Sequence, residues 1–201
     1  GADIVIDTDF AADVVIMEEG TELLGRIRNG GRLPMFTSCC PAWSVMAKKL
    51  FPDHADCISM ALTPMVLTAR FVKKTHPGCK VVFVGPCDAK KLEASRRTVR
   101  SDVDFVLTFE EMAGIFDAKH VDLTTIEEDP DGVNDASADG RNFAVSGGVA
   151  QAVVNVIQER YPEREIQVSK AEGLRECRKM LQAAVAGKFN GYLLEGMACP
   201  G

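Results

Sequence analysis

An α/β fold, with parallel sheets flanked by helices, is what this sequence predicts. Short β-branched and aromatic runs alternate with helical stretches along the chain, and Asn29-Gly30-Gly31, Pro52 and Pro64 punctuate the alternation. The proportions agree: of 201 residues, 46% are hydrophobic and 26% charged, which rules out a disordered or fibrous chain.

The elements follow in order. Asp3–Ile6 reads as a strand, and a helix runs from about Asp9 to Arg28 until Asn29-Gly30-Gly31 stops it. Pro34–Thr37 is a short strand. Trp43–Phe51 is a helix closed by Pro52, and another spans Pro64 to Lys74 with Pro64 in its first turn. Lys80–Val84 (KVVFV) reads as a buried strand and Ala89–Arg97 as a helix. Phe105–Thr108 is a strand whose Thr108 forms a capping box with Glu111 at the start of the next helix. Between Glu127 and Asn142 lies an Asp- and Gly-rich stretch without periodicity. Its spacing fits no EF-hand, so it reads as a solvated loop rather than a calcium site. Phe143–Val145 is a strand, Ser146-Gly147-Gly148 a turn and Val149–Arg160 a helix. Glu165–Val168, Leu174–Ala186 and Tyr192–Leu194 close the chain as strand, helix and strand.

Charge excludes one class of partner. Lys+Arg number 23 against 29 Asp+Glu, a net charge of −6 with no basic stripe, so nucleic acid is not expected. No run of about 18 apolar residues is present, so no membrane span is expected either. The seven cysteines are an odd number without a signal peptide, which suits free thiols or metal ligands better than a disulfide framework. Cys57, Cys79 and Cys177 read as small buried hydrophobes.

The other four cysteines lie in three segments of one kind. Thr37-Ser38-Cys39-Cys40-Pro41-Ala42-Trp43, Gly85-Pro86-Cys87-Asp88-Ala89-Lys90 and Glu195-Gly196-Met197-Ala198-Cys199-Pro200 each follow a predicted strand. The carboxyl ends of parallel strands line the ligand crevice in open α/β sheets, so Cys40, Cys87 and Cys199 are expected to meet at one point. Ser146-Gly147-Gly148 is expected to turn off another strand end and offer backbone N–H groups to a bound anion or cluster. Zinc sites favour C-x-x-C pairs, and none occurs here; single thiolates from distant loops suit an iron–sulfur centre better.

These three segments resemble the three signature loops of the [FeFe]-hydrogenase catalytic domain, and Ile16–Glu22 resembles the helix before the first of them. The resemblance covers most of the chain, and its joined patterns occur in the family's order. It implies that residues 1–201 form one H-cluster catalytic domain, partial at both ends, with two parallel-sheet lobes and the cluster between them. It also implies an H-cluster in the matured full-length protein: a [4Fe–4S] cubane joined to a diiron centre carrying CO, cyanide and a dithiolate. Cys40, Cys87 and Cys199 match the cubane ligands. The remaining ligand is expected four residues after Cys199, outside this sequence, so the fragment alone is expected to be inactive and without the cluster.

The same resemblance places Cys39, Glu19, Ser59, Glu22 and Arg26 on a proton route. Glu19, Glu22 and Arg26 are spaced i, i+3, i+7 and share one helix face, which without the resemblance reads as an ordinary solvated face with a Glu–Arg pair. Lys90, followed by Glu93, matches a donor to a diiron cyanide, and Met197 a methionine near the diiron bridge. Trp43 is expected to pack behind the first loop. The activity implied is reversible reduction of protons to dihydrogen in the cytoplasm of an anaerobe. The partners implied are a ferredoxin-like electron donor, hydrogenase maturation proteins, and accessory iron–sulfur or sensory domains outside the chain.

Three positions depart from the most active members. Gly85 and Met65 stand where methionine and glutamine are usual, and Ala42 where glycine is. These departures resemble the diverged, sensory branches, so a redox or hydrogen sensor, or an iron–sulfur electron-transfer module, of low turnover is the alternative. A cluster-assembly paralogue is the third reading, and the proton ladder speaks against it.

Overall fold

The computed structural model describes residues 2–127 and 136–199. Residues 128–135, within the loop read between Glu127 and Asn142, lie outside the described residues, as does Pro200 of the third cysteine segment. In chain order the elements are α1 (Asp9–Asn29), β1 (Met35–Phe36), α2 (Pro41–Leu50), α3 (Pro64–Thr75), β2 (Val82–Gly85), α4 (Ala89–Ser95), β3 (Phe105–Thr108) and α5 (Phe109–Ala118). The helical turn α6 (Ala138–Arg141) follows, then α7 (Gly148–Arg160), β4 (Val168–Glu172), α8 (Leu174–Val185) and β5 (Leu193–Met197). Short 3-10 helices occupy Pro52–Cys57 and Leu123–Thr125. The chain divides into two compact units: Gly1–Thr8 with Met65–Asp135, and Asp9–Pro64 with Ala136–Gly201.

The larger unit, Asp9–Pro64 with Ala136–Gly201, is organised on a parallel sheet of order β1-β5-β4. Met35 pairs with Leu193 and Phe36 with Leu194, while β4 runs beside the whole of β5. An isolated parallel bridge from Phe36 to Ile58 extends the β1 side. The central strand is covered on both faces, since Leu193 and Leu194 are fully buried although they point to opposite sides. Leu194 packs with Phe36, Trp43, Ala47, Cys177 and Leu181, a core contributed by α2 and α8. On the other side α7 packs against β4, β5 and α1. Helix α1 ends where expected: Gly30 takes φ +66°, and Gly31 N–H closes back on Arg26 O at 2.7 Å.

The smaller unit carries the parallel pair β2–β3, registered from Val82 with Phe105 to Gly85 with Thr108. Helix α4 is the crossover that a parallel pair requires. The capping box at α5 forms in full: Thr108 Oγ1 accepts from Glu111 N at 3.2 Å, and Glu111 Oε2 from Thr108 N at 2.8 Å.

Four expectations are corrected. Asp3–Ile6 is not a strand, and Val5 is 72% exposed, because no strand among the described residues pairs with this β-branched run. Phe143–Val145 is not a strand either: Phe143 N–H bonds Gly140 O and Val145 N–H bonds Asn142 O, so its donors are used within successive turns. The strand read at Glu165–Val168 begins instead at Val168, where β4 comes into register with β5. Strand β2 is only partly buried: Val82 and Val84, on one face of the two-stranded sheet, are 48% and 39% exposed, while Gly85 is buried.

Candidate functional site

In the larger unit the segment after β1 is held from several directions. Thr37 N–H bonds Leu194 O at 3.0 Å, which continues the pairing with β5. The buried Trp43 indole N–H donates to Thr37 O at 3.2 Å, and its ring meets Phe36 edge-on. Trp43 thus packs behind this loop as expected. Cys40 is the N-cap residue of α2 in extended conformation, with Pro41 in the first turn and Cys40 O accepting from Ser44 N. Cys39 and Cys40 are half-buried thiols outside any disulfide.

Beneath this loop lies a line of polar groups. Glu19 on α1 is completely buried. Its Oε1 accepts Ser38 N–H at 3.0 Å and lies 3.3 Å from Ser38 Oγ, whose hydroxyl also reaches Ala61 O at 2.8 Å. Its Oε2 is buried without a hydrogen-bond partner. Burial raises the Glu19 pKa to about 7; the amide and hydroxyl of Ser38 and the hydroxyl of Ser59 oppose the rise, and the charge of Glu22 adds to it.

One turn further along α1, Glu22 Oε2 accepts from Ser59 Oγ at 2.8 Å and Met60 N at 2.9 Å. Its Oε1 takes Arg26 Nε at 3.0 Å. Arg26 is itself fixed by the carbonyls of Arg32, Cys57 and Ile58, each at 3.2 Å. The i, i+3, i+7 face is therefore an inward-facing line that runs from the fully buried Glu19 to the half-buried Glu22 and Arg26, with Ser59 placed between the two carboxylates. Ser38, a direct partner of Glu19, went unrecognised in the sequence, where only its place beside Cys39 could have signalled it.

At the other strand end, β5 alternates. Glu195 points to the α7 side and Gly196 to the α2 side. A Cβ on Gly196 would stand 2.1 Å from Trp43 Cδ2, so only glycine fits there. Glu195, 1% exposed, accepts Gly147 N–H at 2.7 Å and Ala150 N–H at 2.8 Å. Burial raises its pKa, and the amides of Ala150 and Gly147 with the charge of Lys170 oppose the rise.

This corrects the role expected for Ser146-Gly147-Gly148. The turn does not come off a strand, and its amides are already used: Gly147 N–H by Glu195, and Gly148 N–H by Val145 O at 2.7 Å. A protein carboxylate sits where an external anion was expected. Ser146 Oγ is buried and unpartnered.

Past Glu195, Met197 O accepts Gly173 N–H at 2.8 Å and lies 3.4 Å from the Cys177 thiol, and Cys199 follows as an exposed residue. Because β1 and β5 are adjacent and parallel, Cys39, Cys40 and Cys199 all follow the same end of that sheet. Cys57 and Cys177 are fully buried, as expected, and burial pushes the Cys177 thiol up to about 11. Cys79 is half-buried.

In the smaller unit Cys87 follows β2 directly, and its carbonyl accepts Lys90 N–H at 3.1 Å in the first turn of α4. Lys90 Nζ donates to Glu93 Oε2 at 2.8 Å, with the side chains 14% and 7% exposed. The pair is interior rather than a bare surface pair. A Cβ on Gly85 would stand 2.5 Å from the Phe83 ring. Among the described residues no three His, Cys, Asp or Glu side chains come close enough to hold one metal ion. No helix among them is long and apolar enough to cross a membrane.

The family profile described as "Iron only hydrogenase large subunit, C-terminal domain" matches residues 1–201. Iron hydrogenase 1 of Clostridium pasteurianum is 33% identical over 207 residues, 96% of this chain and 36% of that protein. A probable cytosolic Fe–S cluster assembly factor of Aedes aegypti is 28% identical over 249 residues, all of this chain and 52% of that protein. The chain thus spans about a third to a half of these relatives. The apo [FeFe]-hydrogenase HydA1 from Chlamydomonas reinhardtii, in a variant form, superposes with a TM-score of 0.78 at 25% identity. That match covers all of this chain and 68% of the other.

Proposed function

The chain belongs to the iron-only hydrogenase large subunit family, and from that premise we propose that it is an [FeFe]-hydrogenase catalytic domain that interconverts protons and dihydrogen. Electrons would come from a ferredoxin-type donor, and dedicated maturation proteins would install the cofactor in the cytoplasm. The observation that carries this reading is the inward-facing line Glu19–Ser59–Glu22–Arg26 beneath the Cys39–Cys40 loop.

The donor set fits the cofactor chemically. Cys40, Cys87 and Cys199 are thiols outside disulfides, each following a parallel strand, and soft thiolates are what iron–sulfur clusters take. A four-iron cluster spreads its ligands over its iron atoms, so three donors on one ion are not required. Cys40, Cys87 and Cys199 would hold the cubane, and Lys90 and Met197 would face the diiron centre. Gly147, which the sequence reading also assigned to the cofactor, is given to Glu195 instead, while Ser146 keeps an unpartnered hydroxyl for that role. When bound, the H-cluster would supply the metal at which dihydrogen is made or split and would pass electrons between that metal and the ferredoxin-type donor.

The chain's own part is moving protons. Cys39 would exchange a proton with the buried end of the line. Glu19, with its pKa near 7, can take up and release that proton at neutral pH at little cost. The Ser59 hydroxyl can accept from the Glu19 side while donating to Glu22 Oε2. Arg26, anchored on three carbonyls, keeps Glu22 facing Ser59. An assembly factor has no need of a buried carboxyl tuned to neutral pH, which favours the hydrogenase over the assembly-factor relatives.

A sensor of low turnover is the second reading. It is supported at Gly85, where the methionine usual in the most active members is missing and the Phe83 ring occupies the space beside the backbone. Hydrogen evolution by the matured, cluster-loaded protein with a chemically reduced ferredoxin decides between them. Sustained turnover supports the enzyme, a loaded but slow protein supports the sensor, and a protein that loads no diiron centre overturns both.

A further inference from the structure

Glu195 is a buried carboxylate that the proton line does not use, and it belongs to the third cysteine segment. Both its oxygens are engaged by backbone N–H groups of the first turn of α7, at 2.7 and 2.8 Å. A protonated acid would need an acceptor for its own O–H; two N–H donors on two oxygens suit the anion. No local residue closes this helix. Its N-cap, Gly147 at φ +82°, has no side chain, and Ser146 Oγ bonds to nothing. The cap comes from 45 and 48 residues away, on the central strand that leads to Cys199. Lys170 closes the turn from outside by donating to Ser146 O at 3.0 Å.

We propose that Glu195 is a positioning residue of the cluster site: its carboxylate clamps the N-terminus of α7 to β5 and places a fixed negative charge beside the loop of Cys199, lowering the reduction potential of the cubane. This rests on the reading of Cys199 as a cluster ligand. Four residues of extended chain reach at most about 14 Å, and at an effective dielectric near 20 a charge at that separation shifts a one-electron equilibrium about tenfold. Removing the charge acts twice in one direction. The anion no longer opposes the incoming electron, and the positive end of the α7 dipole is left uncompensated.

The test compares the full-length protein, which includes the position of the remaining cubane ligand expected after Cys199, with its Glu195→Gln and Glu195→Asp variants, each loaded anaerobically with iron and sulfide. Glu195→Gln is expected to shift cubane reduction to higher potential by about tenfold in equilibrium constant, 59 mV for one electron. Glu195→Asp keeps the charge but not the reach, so its potential is expected to stay within a third of that shift.

In cluster-free protein both variants are expected to exchange the Gly147 and Ala150 amides at least tenfold faster, while Leu193 and Leu194 stay protected. An unchanged potential in loaded Glu195→Gln overturns the electrostatic role, and unchanged exchange overturns the clamp. Failure of the wild type itself to bind iron and sulfide overturns the ligand assignment and the electrostatic role together, while amide exchange still decides the clamp.

Discussion

Ser59 donates its hydroxyl to Glu22 Oε2 at 2.8 Å across a separation of 37 residues. The parallel bridge from Phe36 to Ile58 makes this possible, because Ser59 N–H bonds Phe36 O at 2.7 Å and the segment is laid along β1 facing α1. The line of polar groups proposed to carry protons is thus a product of sheet registry as much as of the helix.

Replacing Ser59 with alanine removes the hydroxyl between the two carboxylates. Hydrogen turnover of the matured protein is expected to fall about a hundredfold or more. Stability should drop by only about 1 kcal/mol, since Met60 N–H still holds Glu22. Parallel turnover and denaturant titrations check it; unchanged turnover would place the protons on another route.

The raised pKa of Glu19 makes stability depend on pH with a definite sign. The folded chain holds this proton up to about pH 7, while an exposed glutamate loses it near 4.5. Between those values the native state binds more protons, so stability falls as pH rises and levels off above about 7. Glu19→Gln should flatten that slope and be the more stable form at pH 8, by an amount on the order of 3 kcal/mol. Equal pH profiles for the two proteins would contradict the burial argument.

Cys39→Ala should lower turnover by orders of magnitude in the matured protein while the infrared bands of the diiron centre persist. Bands lost together with activity would make Cys39 a residue of the cofactor cradle rather than of the proton line.

Gly196→Ala tests packing at the central strand. The new methyl would meet Trp43 at 2.1 Å, with Gly196 held in register against Ala171 of β4. A cost of about 1–3 kcal/mol is expected, read as a lowered unfolding midpoint. A midpoint unchanged within error would mean that Trp43 moves freely, against its full burial.

Much of this site was legible in the sequence because its signals are local. The i, i+3, i+7 spacing put Glu19, Glu22 and Arg26 on one face, and Thr108 with Glu111 announced a capping box that forms in both halves. Cys40, Cys87 and Cys199 each come after a strand end, although β5 runs on through Glu195–Met197, which the reading had placed beyond a strand ending at Leu194. The helices α1, α3, α7 and α8 lie within a residue or two of their expected ends. A helix satisfies its backbone from residues four apart, so the sequence by itself determines it.

What the sequence did not determine depended on partners far along the chain. Asp3–Ile6 and Phe143–Val145 carry strand-forming residues yet pair with no strand among the described residues, and a strand exists only where another strand supplies its hydrogen bonds. β4 lies where β5 accepts it rather than where its own residues suggested. The Ser146–Gly148 turn was read as open to an anion, and only the fold revealed that Glu195, 48 residues beyond Gly147, already fills that place. Local spacing fixes which groups a helix face presents; which backbone donors remain free is decided by the tertiary pairing that uses up the others.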